Sequence, residues 1–321
     1  MPTLLLTRRD VNALISMKDV IRVVEQAFRD WTEGRGSMPP KAYLQVKDGD
    51  FRAMAAALPG AAGMKWVNVH TGNPAQSLPT VMAVLIYNDP ATGYPLAIMD
   101  ATEITGYRTG ATAAIASRYL ARKNANTLGV VGAGRQAYTQ IMAHLELFTF
   151  REIRVYDVFP KAAERLVSLL PQYPLKAVSL QDAVRSDIVC TVTPARQPVV
   201  RREYVLPGTH INAIGADAEG KEELEPAVLK MATVVVDDLR QASKAGEINV
   251  PISKGIYTPE EVQANLGEII TGRKKGRTSD TQVTIFDSTG VAIEDIAVAS
   301  MLYSRAKDKG MGLALNLVEP P

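Results

Sequence analysis

The feature that most constrains the fold is a glycine-rich turn between an apolar strand and a helix. Residues 128–131 (LGVV) predict a buried strand, residues 132–137 (GAGRQA) follow it, and a helical pattern continues to residue 147. In this pattern Gly132 permits a tight turn, Gly134 lets a ligand approach the backbone, and the third small residue lets helix and strand pack closely. The helix N-terminus presents unpaired N–H groups that favour phosphate. The segment therefore predicts a βαβ unit that binds the pyrophosphate of a dinucleotide.

An acidic residue after the next predicted strand indicates which dinucleotide binds. Asp157 follows the strand at residues 153–156 and lies 23 residues after Gly134. A carboxylate at this place accepts hydrogen bonds from the adenosine ribose hydroxyls and repels a 2′-phosphate. It also argues against the alternative that the glycines merely join strand to helix. We therefore expect NAD as the cofactor rather than NADP, although Lys161 is placed where it could reach a phosphate.

The order of the predicted elements indicates two domains in this chain of 321 residues. After residue 121, short apolar strands alternate with helices, which is typical of a parallel sheet covered on both faces. Before it, an amphipathic helix follows Ser16, and residues 41–100 predict mostly antiparallel strands with a hairpin at residues 88–93. We predict an α/β fold with a Rossmann-type domain at residues 121–299. A discontinuous α+β domain, residues 1–120 and 300–321, would bind substrate and form a dimer.

Composition argues against several other classes of protein. The formal net charge is +2, and the short basic stretch at residues 273–277 has no interleaved aromatic residues for base stacking, so we expect no nucleic-acid partner. No run of eighteen apolar residues predicts a membrane span. The N-terminal charges follow a very short apolar run, the reverse of a signal peptide, and we expect a cytoplasmic protein.

The cysteine and histidine content argues against disulfide and metal chemistry. Cys190 is the only cysteine, so it cannot form an intramolecular disulfide. It lies in an apolar run that predicts a strand, which favours an inert core thiol over a nucleophile. One cysteine and three histidines provide no close set of ligands, so we expect no metal.

Lys65 is the cation that the pattern singles out, because it interrupts an otherwise apolar strand at residues 64–67. Burial lowers the pKa of a lysine, which can then act as an acid or base near neutrality. Asp217 follows the predicted strand at residues 211–214, and the carboxyl ends of parallel strands are where such sheets bind ligands. Asp217 is therefore a candidate catalytic partner of a lysine, with a simple turn-forming aspartate as the alternative.

Motifs along the whole chain are similar to those of the ornithine cyclodeaminase/mu-crystallin family. Within this family the chain looks closest to the archaeal type of alanine dehydrogenase, through residues 38–41 (MPPK), Leu58 and residues 65–68 (KWVN). The family motifs lie at residues 64–68 (MKWVN), 78–81 (LPTV), 99–102 (MDAT), 108–111 (RTGA), 132–137 (GAGRQA), 210–217 (HINAIGAD), 246–248 (GEI) and 286–290 (FDSTG).

The resemblance implies roles for individual residues. The catalytic lysine and aspartate of the family fall on Lys65 and Asp217. Its carboxylate-binding cations fall on Lys41 and Arg108, and Arg108 also lies against the cofactor; Val291 is expected at the substrate. The remaining residues expected at the cofactor are Thr80, Gly132, Gly134, Arg135, Gln136, Asp157, Thr191, Ile214, Gly215, Lys221 and Gly290.

Arg52 is expected to select the substrate. Ornithine cyclodeaminases have a glutamate at this position, which holds the side-chain ammonium of ornithine; relatives that resemble mu-crystallin have a small residue. An arginine would repel that ammonium and, with Lys41 and Arg108, bind the substrate carboxylate. The chain departs from the family pattern at Ala55, where a proline is usual, so the shape of the pocket differs.

These features together predict a cytoplasmic, NAD-dependent oxidoreductase that deaminates a small L-amino acid, with L-alanine giving pyruvate and ammonia. A cyclodeaminase or a reductase of a cyclic imine such as pyrroline-2-carboxylate is the alternative. A non-catalytic dinucleotide-binding protein is a further one, against which Lys65 and Asp217 argue. The apolar strands between Lys41 and Asp100 exceed what one small domain covers on both faces, and the family pairs there, so we expect a homodimer.

Overall fold

In the computed structural model, which describes residues 2–318, packing divides the chain at Arg108/Thr109 and at Gly290/Val291. The residues up to Arg108 and from Val291 onwards form the first unit, and Thr109–Gly290 forms the second. These transitions fall earlier in the chain than the sequence-based boundaries at residues 120/121 and 299/300. The domain boundaries at residues 120/121 and 299/300 therefore stay a prediction.

The secondary structure is mixed, with strands throughout the chain. As far as Leu120 the elements are β1 (Thr3–Leu6), α1 (Arg8–Leu14), α2 (Met17–Thr32), β2 (Ala42–Val46), β3 (Gly49–Leu58), β4 (Ala61–Val69), β5 (Val81–Asn88), β6 (Pro95–Asp100) and α3 (Thr102–Leu120). From Thr127 they are β7 (Thr127–Val131), α4 (Arg135–Leu147), β8 (Glu152–Tyr156), α5 (Pro160–Leu169), β9 (Leu175–Ala177), α6 (Leu180–Val184), β10 (Ile188–Thr191), β11 (His210–Ala213), α7 (Pro226–Met231), β12 (Thr233–Val236), α8 (Leu239–Ala245), α9 (Asn249–Ser253), β13 (Ala264–Asn265), α10 (Leu266–Ile270) and β14 (Thr284–Asp287). The last two are α11 (Ala292–Lys309) and β15 (Leu313–Leu315), and short 3₁₀ turns lie at Asn73–Gln76, Arg202–Tyr204 and Pro259–Glu261.

The first unit is built on a mixed sheet with the strand order β15-β1-β6-β5-β4-β3-β2. Strands β2 to β6 form an antiparallel meander, as the alternating pattern of residues 41–100 predicts. Strand β1 pairs parallel to β6 and antiparallel to β15. Neither β1 nor β15 was predicted from the sequence, because each is a short apolar run without periodicity that becomes a strand only through its neighbour.

The two faces of this sheet differ in burial. One face is covered by α2 and α11, and the residues of β3 to β6 that point to it alternate with those that do not. Helix α2 begins after Ser16, as predicted, and Ser16 is its N-cap residue, whose hydroxyl accepts a hydrogen bond from the Asp19 backbone N–H. The other face leaves large apolar side chains exposed, among them Trp66, Val84 and Ile86.

The second unit is a parallel sheet with the strand order β13-β12-β14-β11-β10-β7-β8-β9. The segment β9-β8-β7-β10-β11-β14 has the usual order of a dinucleotide-binding fold, with the switch point between β7 and β10. Successive residues of one strand enter two different apolar clusters; Val189, for example, lies in one and Cys190 in the other. The sheet is therefore covered on both faces, as its continuous apolar strands predict.

Cys190 is fully buried in β10, and burial raises the pKa of its thiol to about 12, as expected for an inert core cysteine. The final helix begins at Ala292 and packs on α2 and the sheet of the first unit. Within residues 2–318, no helix is both long enough and apolar enough to cross a membrane.

Candidate functional site

Lys65 lies in the middle of β4 on the covered face of the first sheet. It is paired with Met54 on β3 and with Leu85 on β5, and its side chain has no exposed surface. The alternation of the strand places it there, because Lys65 and Val67 point to the same face. An ammonium group at such a place requires a charged or polar partner.

That partner is Asp295, in the first turn of α11. Lys65 Nζ lies 2.8 Å from Asp295 Oδ1 and 2.7 Å from Oδ2, and both side chains are completely buried. A carboxylate in the first turn of a helix is stabilised by the unpaired backbone N–H groups there. The position of Asp295 in the helix thus offsets part of the cost of burying its charge.

Arg108, in α3, joins the same cluster. Its Nη1 donates a hydrogen bond of 2.8 Å to Glu294 Oε2, and its Nε lies 3.3 Å from Asp295 Oδ1. Asp295 therefore contacts two cations, Lys65 and Arg108. The structure thus brings together Lys65 and Arg108, which were both predicted from the sequence. The carboxylates that link them, Glu294 and Asp295, were not predicted.

The surroundings place the pKa of Lys65 near neutrality. Burial and the positive charges of Arg108 and Lys41 lower it from 10.5 to about 7, while Asp295 opposes this change. An amine with this pKa exists in both protonation states under neutral conditions. Lys65 can therefore both give and take a proton.

Arg52 also lies on the covered face but is held by different groups. Its Nε lies 2.7 Å from Asp50 Oδ1, and its guanidinium carbon stacks over the Tyr43 ring at 5.4 Å. Arg52 is only 4% exposed, so its charge is buried beside that of Asp50. Of the other predicted residues, Lys41 is half-buried just before β2, Thr80 is half-buried just before β5, and Val291 is buried as the N-cap residue of α11.

In the second unit, the glycine turn has the geometry that a pyrophosphate site requires. Gly132 has a φ of +101°, and a Cβ there would lie 3.1 Å from the Val192 carbonyl oxygen, so this position requires glycine. Gly134 is the N-cap residue of α4, and the space where its Cβ would lie is open. Arg135 is exposed and Gln136 half-buried at the start of α4.

Asp157 holds the same turn in place. Its Oδ2 accepts a hydrogen bond of 2.7 Å from Ala133 N, and its Oδ1 accepts one of 2.8 Å from Phe159 N. The carboxylate thus connects the ends of β7 and β8, which adjoin in the sheet. It lies beside the glycine turn, as the spacing predicts.

Four more predicted cofactor residues lie at the ends of three strands: Thr191 is the last residue of β10, Ile214 and Gly215 follow β11, and Gly290 lies shortly after β14. The backbone N–H groups of Ile214 and Gly215 donate to the Thr191 carbonyl oxygen at 3.0 and 3.1 Å. Gly290 N donates to Asp237 Oδ2 at 2.6 Å. Because β10, β11 and β14 run parallel and in register, these residues lie at one edge of the sheet.

Asp217 and Lys221 are paired with each other. Lys221 Nζ donates a hydrogen bond of 2.5 Å to Asp217 Oδ1, and both side chains are half-buried. This pair gives Lys221 a position next to the predicted catalytic aspartate. The expected contact of Lys221 with the cofactor stays a prediction.

Several buried or half-buried acidic residues around the predicted ones were not predicted from the sequence. In the first unit these are Asp50, Glu294 and Asp295, and in the second they are Glu223, Asp237, Glu247 and Asp287. A signal for Glu294 and Asp295 was present, because they interrupt an otherwise apolar helix start at residues 292–297 in the same way as Lys65 interrupts its strand.

Comparisons with known proteins agree with this arrangement. The sequence profile of the ornithine cyclodeaminase/mu-crystallin family matches residues 1–310. Alanine dehydrogenase of Archaeoglobus fulgidus is 52% identical over 314 residues, which cover 97% of this chain and 98% of that protein. The structure of an archaeal alanine dehydrogenase dimer with bound NAD matches with a TM-score of 0.97 and 51% identity, over 99% of this chain and 100% of the other. Delta(1)-pyrroline-2-carboxylate reductase of Thermococcus litoralis, in complex with NADH and L-proline, matches with a TM-score of 0.93 and 37% identity, over 97% and 99%.

Proposed function

The chain belongs to the ornithine cyclodeaminase/mu-crystallin family, and from this premise we propose that it is an NAD-dependent amino acid dehydrogenase. The substrate is a small L-amino acid, L-alanine above all, and the products are pyruvate and ammonia. The observation that carries this proposal is the buried Lys65–Asp295–Arg108 cluster. It places an amine with a pKa of about 7 close to the positive charge of Arg108. The archaeal alanine dehydrogenases, at 51–52% identity over almost the whole chain, support the same substrate.

The residues of the second unit fit NAD. The open space above Gly134 at the start of α4 admits a phosphate close to the backbone, and Asp157 provides a carboxylate for the ribose hydroxyls. We assign Gly132, Gly134, Arg135, Gln136 and Asp157 to the pyrophosphate and adenosine side. When bound, NAD would take a hydride from the substrate Cα, the redox chemistry that no side chain supplies. The remaining residues that we assign to the cofactor are Thr80, Arg108, Thr191, Ile214, Gly215, Lys221 and Gly290.

The side chains of the first unit would bind the substrate and move its protons. Lys41, Arg52 and Arg108 would hold the substrate carboxylate and stabilise negative charge near the reacting carbon, with Val291 beside them. Neutral Lys65 would accept a proton from the substrate ammonium, which frees the nitrogen lone pair that expels the hydride. After water adds to the resulting imine, Lys65 and Asp217 would return a proton to the nitrogen, and ammonia leaves.

A second candidate is the reduction of a cyclic imine. The similarity to delta(1)-pyrroline-2-carboxylate reductase, at 37% identity over 97% of this chain, favours it. The same cations would hold the carboxylate of such a substrate, and protonated Lys65 would supply the proton that the imine nitrogen requires. The two candidate reactions differ because only the amino acid dehydrogenase releases or consumes ammonia.

A substrate panel with the purified protein tests both candidates. We expect the wild type to form NADH with L-alanine and to consume NADH with pyruvate and ammonium. Both rates should be at least about a hundredfold lower in Lys65→Met, because general acid–base catalysis contributes a factor of this size. Lys47→Met is the matched control, because Lys47 is exposed in the same unit. Turnover of pyrroline-2-carboxylate without ammonium, exceeding that of pyruvate with ammonium, favours the second candidate. Failure to use any amino or imino acid contradicts both.

We also infer that the protein forms a homodimer through the uncovered face of the first sheet. Trp66, Val84 and Ile86 are between 37% and 50% exposed on that face, and apolar patches of this kind usually mark an interface. The archaeal alanine dehydrogenase structure is itself a dimer, which supports the inference.

A further inference from the structure

A row of buried carboxylates runs along the carboxyl edge of the parallel sheet in the second unit. It consists of Glu223, Glu247, Asp287 and Asp237, and none of the four has exposed surface. Asp287 and Asp237 are in or directly after β14 and β12, while Glu223 and Glu247 are in the connections that follow β11 and β12. The proposed chemistry uses none of these four residues, so their presence requires another explanation.

Two carboxylates in the row, Asp287 and Glu247, each bind the backbone of the next residue in it. Asp287 accepts hydrogen bonds from Glu247 N at 2.8 Å and from Ile248 N at 3.2 Å. Glu247 Oε1 accepts from Glu223 N at 2.9 Å and from Leu224 N at 2.6 Å. The position of Glu223 is therefore determined through Glu247 by a residue at the end of β14.

Glu223, at the end of this row, binds the segments that follow two neighbouring strands. Its Oε1 accepts from the backbone N–H and the hydroxyl of Thr193, both at 2.7 Å. Its Oε2 accepts from the Thr191 hydroxyl at 2.7 Å and from Gly215 N at 2.8 Å. One carboxylate thus ties the residues after β10 to those after β11.

Gly215 is required for this approach. A Cβ at residue 215 would lie 2.1 Å from the Thr193 carbonyl oxygen and 2.6 Å from Glu223 Cδ. The two segments and the carboxylate are therefore packed so closely that a side chain at residue 215 would separate them. Because Glu223 hydrogen-bonds to backbone groups of both segments, the conformation of the residues after β10 and after β11 is sensitive to this side chain.

These segments lie where the second half of a dinucleotide is expected. Strand β7, which carries the glycine turn, has β8 with Asp157 on one side and β10 on the other. In this fold the dinucleotide extends across the switch point, so its nicotinamide half lies at the ends of β10 and β11. We propose that Glu223 is a positioning residue that holds Thr191, Thr193 and Gly215 in the conformation that receives the nicotinamide half of NAD. This assignment rests on the proposed NAD-dependent function.

Burial raises the pKa of Glu223, and burial together with the neighbouring carboxylates raises the pKa of Glu247 and brings that of Asp287 to about 8. The backbone hydrogen bonds of Glu223 and Glu247 differ. Glu247 accepts both backbone N–H groups on Oε1, and its Oε2 receives only a longer contact of 3.1 Å from Glu223 N, whereas Glu223 receives a separate backbone N–H group on each oxygen. A glutamine can therefore replace Glu247, but at residue 223 its amide nitrogen would face an N–H donor.

Two isosteric substitutions in the same row test the proposal. We expect Glu223→Gln to weaken NADH binding, measured by fluorescence titration without substrate, by about tenfold or more. Glu247→Gln should stay within about threefold of the wild type. Glu222→Gln is the matched control, because Glu222 is a buried neighbour in the same segment whose carboxylate lies 3.5 Å from Lys254 Nζ. Hydrogen exchange in the cofactor-free protein should accelerate at Thr193 and Gly215 in Glu223→Gln alone.

The outcomes separate this assignment from the proposed function. If Glu223→Gln exchanges faster but binds NADH like the wild type, the row serves stability only and the assignment is overturned. Equal losses of NADH affinity in Glu223→Gln and Glu247→Gln overturn it as well. If Glu223→Gln does not fold, Thr193→Val, which removes one donor to Glu223, should still weaken NADH binding, and no change would overturn the assignment. A wild type that does not bind NADH overturns the proposed function itself.

Discussion

Lys65 Nζ lies 2.7 Å from Asp295 Oδ2, and the two side chains are buried together although their residues are 230 positions apart in the chain. The carboxylate stabilises the charged amine, while burial and the charges of Arg108 and Lys41 destabilise it. The balance leaves the pKa of Lys65 at about 7. Asp295 therefore controls the pH range in which Lys65 can accept a proton from the substrate.

The pH dependence of amino acid oxidation tests this control. Asp295→Asn removes the charge that raises the pKa of Lys65, so the pKa falls further below its usual value. Neutral Lys65 is then present at lower pH, and the acidic limb of the kcat/KM profile for L-alanine should move to lower pH. At high pH the rate should fall about tenfold or more, because the amine loses its fixed position.

Glu294→Gln is the control for this prediction, because it removes a partner of Arg108 but leaves the Lys65–Asp295 pair intact. We expect its acidic limb to stay in place. An unshifted acidic limb in Asp295→Asn would show that a group other than Lys65 accepts the proton.

Asp157 should determine the choice of cofactor. Asp157→Ser removes the repulsion of a 2′-phosphate and a charge-assisted hydrogen bond, which together should shift the ratio of kcat/KM values from NAD towards NADP by roughly tenfold or more. The carboxylate also holds Ala133 N, so binding of both cofactors should weaken as the glycine turn loosens. Asp157→Asn, which keeps one acceptor oxygen, controls for that loosening. A wild type that already prefers NADP would contradict the assignment of Asp157.

Arg52 should exclude substrates whose side chain ends in an ammonium group. Arg52→Glu should lower kcat/KM for L-alanine by about a hundredfold and let L-ornithine bind as an inhibitor or slow substrate. The new carboxylate would lie beside Asp50 and be repelled by it. The double variant with Asp50→Asn removes this like-charge repulsion, so it should also bind L-ornithine.

Arg52→Lys is the control, because it keeps a positive charge but loses the two-point contact with Asp50 and the stacking on Tyr43. It should lose alanine activity without admitting L-ornithine. Conversion of L-ornithine to proline by the wild type, in preference to alanine oxidation, would show that Arg52 does not select the substrate.

The uncovered sheet face should carry the dimer contact. Val84 is paired with Trp66 across β5 and β4 and is 50% exposed, so Val84→Arg should place a charge in the middle of the interface. We expect this variant to sediment as a monomer at micromolar concentration, where the wild type sediments as a dimer. Leu169→Arg, at an exposed leucine of the second unit, should leave the dimer intact. A monomeric wild type would contradict the proposed interface.

The amino-acid sequence by itself determined the features that depend on neighbouring residues. The glycine turn at Gly132 and Gly134, the spacing to Asp157, and the start of α2 after Ser16 follow from local rules of backbone freedom, capping and periodicity. The alternating strands of residues 41–100 and the apolar strands after residue 121 were predicted for the same reason. Period two also places Lys65 on the same face of its strand as Val67, although the packing of α11 decides that this face is buried.

The tertiary structure alone decided which residues partner these groups. The pattern shows that Lys65 interrupts an apolar strand, but Asp295 comes from a helix at the other end of the chain, and no local period links the two. The carboxylates around Glu223 likewise belong to separate connections that only the parallel sheet brings to one edge. Strands β1 and β15 exist through pairing between the two ends of the described chain. Contacts of this kind depend on the packing of distant elements, whose geometry local propensity and periodicity do not specify.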